Sequence, residues 1–132
     1  MKQVRSFAKT LLPLTLLFIF TYSVHAAQTD SNNTVVISAK ELYEGLKNKS
    51  LKFNYNQEII ITGILKNTGS SFIYNSAYLL ISDKEDGSVY VKAVLADKKK
   101  KEVYKNGQNI KIHCRFYEER DNVIVVKDAK NE

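Results

Sequence analysis

Glu58-Ile59-Ile60-Ile61-Thr62-Gly63-Ile64-Leu65-Lys66 is the stretch on which the fold turns. Five of its nine residues are β-branched. Such side chains are stiff at χ1 and fit a pleated surface, so the stretch reads as a strand. Gly63 stands inside it, and a glycine in a strand interior marks a bulge or a sharp bend. A strand that serves two sheets of a barrel needs such a bend.

Downstream, a polar loop over 67–75 leads to a strand over 77–82. Asp86-Gly87 is a strong hairpin signal and joins that strand to another over 88–95. The segment 97–104 carries four consecutive lysines and a short helical pattern. Asn106-Gly107 then turns into a strand over 109–117, and Asp121-Asn122 turns into one over 123–127. Upstream, Ser38-Ala39-Lys40-Glu41 forms a capping box, in which Ser38 accepts from the backbone of Glu41 and the carboxylate reaches back. Leu42, Tyr43 and Leu46 follow on one helical face, so a helix runs from about 39 to 49. The order is helix, three strands, helical connection, two strands. A mainly β fold results, a five-stranded OB-fold barrel with an N-terminal helix and a short helix between strands 3 and 4. An SH3-like barrel or a small sandwich shares the strand count; the helical connection and Gly63 favour the OB-fold.

Four segments, Ser38-Ala39-Lys40-Glu41-Leu42-Tyr43, Ile59 to Leu65, Gly87-Ser88-Val89-Tyr90-Val91 and Lys105 to Ile112, resemble the tRNA_anti-like family. The likeness covers about residues 37–128 and rests on structural glycines and alternating apolar residues. It implies a small OB-fold protein, of a kind often exported or lipid-anchored in bacteria, with oligonucleotide binding as the analogous function. A shared fold does not by itself carry a function.

The 132 residues are enough for one domain and carry 20 basic and 14 acidic groups, formally +6. Lys2, Arg5 and Lys9 open the chain, and an apolar run from Leu11 to Val24 follows. The run is shorter than the ~20 apolar residues of a spanning helix and has the length of a signal-peptide core. Val24-His25-Ala26 supplies a cleavage site, so residues 1–26 read as a signal peptide. Residues 27–36 then read as a disordered lead-in and 37–130 as the OB domain. No cysteine follows the apolar core, which removes the lipid attachment of anchored family members. The expected product is exported, periplasmic or secreted. Cleavage removes three of the 20 basic groups and leaves 17 against 14, or +3.

An OB barrel normally binds on the face of its second and third strands, between the loops joining strands 1–2 and 4–5. Alternation puts Leu79, Ile81, Val89, Val91, Ala93 and Leu95 inside, with Tyr78, Tyr90 and Lys92 outside. In the fourth strand Ile110, Ile112, Cys114 and Phe116 go in, and Lys111, His113, Arg115 and Tyr117 go out. The candidate ligand-binding residues are therefore Tyr74, Tyr78, Tyr90, Lys92, Arg115 and Tyr117. Aromatic faces stack bases and cations follow phosphates, the combination that single-strand binding uses. The competing reading is that aromatics merely cover a barrel surface, and a one-residue slip in register would invert the assignment.

Lys98 to Lys101 fall on the connection beneath the barrel and read as a solvated face. Cys114 reads as a buried apolar residue. His113, a single imidazole without a nearby acidic or thiol partner and with no nucleophile placed, reads as neither a metal site nor part of a triad. Asp83-Lys84-Glu85-Asp86-Gly87 lacks calcium-loop spacing. No catalytic residue, metal or cofactor is expected. Two partner classes stand: single-stranded nucleic acid or another polyanion, and an envelope protein; an oligosaccharide is a third, because tyrosines also stack on sugars. Convergence of Lys66, Lys92, Lys111 and Arg115 with the tyrosines would favour the polyanion, and scatter the protein partner.

Overall fold

The computed structural model describes Gln28–Thr29 and residues 34–132. The segment read as a signal peptide lies outside the described residues. The elements are β1 (Gln28–Thr29), β2 (Val35–Ser38), α1 (Ala39–Lys47), β3 (Glu58–Ser71), β4 (Ser76–Ser82), β5 (Val91–Leu95), a 3-10 helix (Lys98–Val103), β6 (Asn109–Arg120) and β7 (Val123–Asn131).

The barrel strands lie in the order β3-β4-β5-β7-β6, and β6 returns to pair with β3. The ring is closed. β5 and β7 run parallel, and the other barrel pairs are antiparallel. Five strands in this order, with a helical link between the third and fourth, make an OB-fold, as the element order predicts.

β3 organises the ring because it changes partners along its length. Glu58 to Ile64 pair with β6, whereas Ile64 to Ser71 pair with β4. The exchange falls beside Gly63. A Cβ at that position would sit 2.6 Å from Ile81 Cγ2 and 2.7 Å from the Ser82 carbonyl oxygen, so only glycine lets β3 and β4 approach this closely. The register shift itself lies further on, between Leu65 and Asn67.

That exchange leaves one edge of the first half of β3 without β4. β2 fills it in parallel, from Val35 opposite Ile59 to Ser38 opposite Thr62. β1 adds to β2 in turn, with Gln28 opposite Val36. The expected disordered lead-in is thus corrected: within 27–36, Gln28–Thr29 and Val35–Val36 are strand. An uncovered strand edge carries unpaired N–H and C=O groups, and a short β-branched run is enough to satisfy them.

Three strands outrun their sequence patterns. β3 continues through the polar residues 67–71, β6 to Arg120 and β7 to Asn131. Ladder bonds to a neighbour override weak strand propensity there. β5 is shorter than expected. Residues 83–90 form a wide connection, with Gly87 N–H donating to the Lys84 carbonyl at 3.0 Å, in place of a tight Asp-Gly hairpin. The Asp121-Asn122 turn is as expected, with φ of 51° and 62°, the values of a primed hairpin turn.

α1 carries the full capping box: Glu41 N–H donates to Ser38 Oγ at 3.1 Å, and Ser38 N–H to Glu41 Oε1 at 3.4 Å. Leu42 enters the core, while Tyr43, Leu46 and Leu51 pack on its margin. The core alternates as predicted at Leu79, Ile81, Val91, Ala93, Leu95, Ile110, Ile112 and Cys114, which are buried. Val89, expected inside, precedes β5 and is only half-buried, and Phe116 packs at the core margin. Burial pushes the Cys114 thiol up from its ordinary range. Iodoacetamide at about pH 8 should therefore leave the folded protein unmodified and alkylate Cys114 only after unfolding. Mass spectrometry with and without guanidinium checks this; rapid labelling of the folded chain would contradict it.

Candidate functional site

A groove of about 580 Å³ lies over β4, β5 and β7, between the β3–β4 turn and the β6–β7 hairpin. Tyr74, Tyr78, Lys92 and Tyr117, four of the predicted ligand-binding residues, line it. Alternation accounts for two of them. Tyr78 on β4 and Lys92 on β5 sit between inward residues, and the antiparallel register puts Tyr78 opposite Val94 and Leu80 opposite Lys92. Diagonal neighbours on one face can touch. The Lys92 ammonium accordingly lies 4.4 Å from the centre of the Tyr78 ring.

Gly69 of β3 stands directly opposite Tyr78. A Cβ there would come within 2.5 Å of Tyr78 Cζ and Oη, so the ring lies across the space the glycine leaves. This positioning residue was not singled out in the sequence, where Gly69 reads as part of a loop.

Lys127 also lines the groove, with Tyr55 beside it outside the lining, and neither was singled out in the sequence. Lys127 Nζ donates to Tyr55 Oη at 2.8 Å and lies 4.5 Å from that ring and 5.5 Å from the Tyr117 ring. The two rings meet at 5.7 Å and 56°. Lys127 was the last residue of an expected strand, and Tyr55 belongs to a segment without periodicity. Their meeting depends on β7 running beside β6. Neither Lys92 nor Lys127 is in an ion pair among the described residues. Their charge remains available to a ligand. Arg120 is engaged by Glu118 on the same wall, and Asp121 adds a second carboxylate at the hairpin end.

Two predicted residues lie elsewhere. Tyr90 packs against the barrel core, its ring 5.1 Å from Tyr43 of α1. Regular alternation begins only at Val91, and the helix takes the ring that would otherwise face the groove. Arg115 donates to the Asn56 carbonyl at 3.2 Å and lies 3.7 Å from Glu58 and 3.9 Å from Asp128. Its guanidinium is spent on acids of β3 and β7. The same Glu58 lies 2.9 Å from His113 Nε2, so the histidine does have an acidic partner, brought across the β3–β6 ladder. Among the described residues no group of three His, Cys, Asp or Glu could hold a metal ion.

The cations predicted to report on a polyanion scatter. Lys66 donates to the Gly87 carbonyl at 2.5 Å, Lys111 lines a separate cleft and Arg115 is paired with acids; Lys92 alone of the four faces the groove. Lys127 takes the place beside the tyrosines. The lysine run does not line the groove, yet it is not simply solvated: Lys98 donates to Asn75 Oδ1 and Lys101 to Ser70 Oγ at the base of the β3–β4 turn.

Lys47 fixes the β6–β7 hairpin against α1, lying 2.8 Å from Glu119 and donating to Asn122 Oδ1 at 3.0 Å. The hydrogen bond to Glu119 raises the Lys47 pKa. The hairpin wall is therefore tied to the helix.

A closed barrel whose second- and third-strand face carries rings and ammonium groups between its two framing loops defines a binding module of the OB-fold class. The chain belongs to the tRNA_anti-like family, whose model matches residues 1–130. No curated protein and no solved structure matches it. No helix among the described residues is long and apolar enough to cross a membrane.

Proposed function

We propose that the protein is an exported, non-enzymatic OB-fold module that binds single-stranded nucleic acid, or another extended polyanion, along the β4–β5 groove. The observation that carries this reading is the pairing of aromatic rings with ammonium groups outside ion pairs in one groove, Lys92 on Tyr78 and Lys127 on Tyr117, with Tyr55 beside Lys127 at its edge. Every base has a π-face, so stacking on these rings tolerates any sequence, while the amines neutralise phosphates. Family membership agrees with such a module. Export rests on the basic, apolar and small-residue succession at the start of the chain.

Titration of single-stranded oligonucleotides across a salt series tests this. Two phosphate contacts predict a log–log salt slope of about −1.4, and Lys92→Ala should reduce it by about 0.7. Absence of binding at low salt overturns the reading. A nuclease screen with divalent metals addresses the non-enzymatic part; metal-dependent cleavage lost with the groove variants would refute it. A second reading, an envelope protein partner on the same face, draws support from the scatter of Lys66, Lys111 and Arg115 and from Glu118 and Asp121 on the wall. It predicts a partner retained at salt concentrations that abolish oligonucleotide binding.

A further inference from the structure

The β3–β4 turn carries an apolar tip that shares only Tyr74 with the groove; Phe72 and Ile73 lie outside its lining. Phe72 is 99% exposed and Ile73 85%, and Tyr74 follows at 79%. Single exposed apolar residues are ordinary, but three consecutive ones at a hairpin tip are a concentrated apolar projection. Ile73 has no π-face and gains nothing from stacking on a base or a sugar. The turn is built: Tyr74 N–H donates to Ser71 Oγ at 3.3 Å, Asn75 N–H donates to the Phe72 carbonyl at 3.3 Å, and Asn75 takes φ 51°.

Cations flank this tip. Lys98 reaches Asn75, the last residue of the turn, and Lys101 reaches Ser70 near the end of β3, so an ammonium group stands on each side of the turn's base. Lys99 and Lys100, exposed, continue the same run. None of the four is in an ion pair among the described residues. An apolar tip with a collar of long-stemmed cations matches the layering of an anionic bilayer surface, where acyl chains lie just below charged headgroups. We propose that Phe72-Ile73-Tyr74 inserts shallowly into an anionic lipid surface while Lys98 to Lys101 engage its headgroups.

The full chain with Ile73→Cys, labelled with an environment-sensitive fluorophore, tests this at the tip itself. Cys114 is the protein's one native thiol and is buried, so the label reports position 73. A Glu85→Cys label serves as control, because the connection after β4 lies at the opposite end of that strand from the turn. Phosphatidylglycerol vesicles should blue-shift the tip label and raise its emission roughly twofold or more, with no change at position 85. Phosphatidylcholine vesicles should leave both unchanged. Lys98→Gln with Lys101→Gln should weaken apparent vesicle affinity by about tenfold or more. Tyr78→Ala should not alter the vesicle response, which separates this proposal from the groove reading. An unresponsive tip, an equal response to neutral vesicles, or a shift that needs only raised protein concentration, as self-association would give, overturns it.

Discussion

Gly63→Ala should lower the stability of the barrel by roughly 2–3 kcal/mol, near the upper end for overpacking by one carbon. For a domain of this size that corresponds to a fall in Tm of about 10–20 °C. The reason is the identity of the atoms in the way. The new methyl would meet Ile81 Cγ2 at 2.6 Å and the Ser82 carbonyl oxygen at 2.7 Å. Ile81 is fully buried and Ser82 contributes backbone, so neither can rotate aside. β3 and β4 must part at the point where β3 passes from β6 to β4. Thermal unfolding followed by far-UV circular dichroism measures the effect. An unchanged midpoint would mean that the close approach is not needed for closure.

Tyr78→Ala should weaken oligonucleotide binding by about 5- to 150-fold while leaving the fold intact, since stacking on one ring contributes about 1–3 kcal/mol per base. The ring is half-buried on the outer face, and its loss opens no cavity in the core. Lys92 also loses the surface over which its ammonium is held. Tyr78→Phe keeps the π-face and should bind within a few-fold of the unmodified protein. Gly69→Ala provides an independent check, because its methyl would collide with the end of the Tyr78 ring and push it from its place. Affinity should fall there too, with less loss of stability than at Gly63, because a ring can turn where a carbonyl cannot. Fluorescence anisotropy with a labelled oligonucleotide measures all three. Equal affinities for the unmodified protein and Tyr78→Ala would place any binding outside the groove.

The two positions show what could be read in advance. Gly63 was legible as a special point because a glycine amid β-branched residues has a single structural meaning. Gly69 was not, because it sits among polar residues that read as a loop and become strand only when β4 pairs with them. Tyr78 and Lys92 were legible from alternation within strands whose burial period was clear. Tyr90, one residue before regular pairing begins, obeys the helix beside it. Arg115 faces outward as expected, yet Glu58 and Asp128 reach it first.

Sequence alone determined the local elements: the Ser38–Glu41 capping box, the β-branched strands, the primed turn at Asp121-Asn122 and, from their order, the OB barrel. The elements depend on contacts within a few residues along the chain, and the barrel was read from their order. Tertiary structure alone decided which side chains share a surface. Lys127 meets Tyr55 across 72 positions of sequence, and Lys101 meets Ser70 across 31. Such pairs depend on the register between strands and on which strand covers which edge. A one-residue slip changes every one of them while leaving each local pattern untouched.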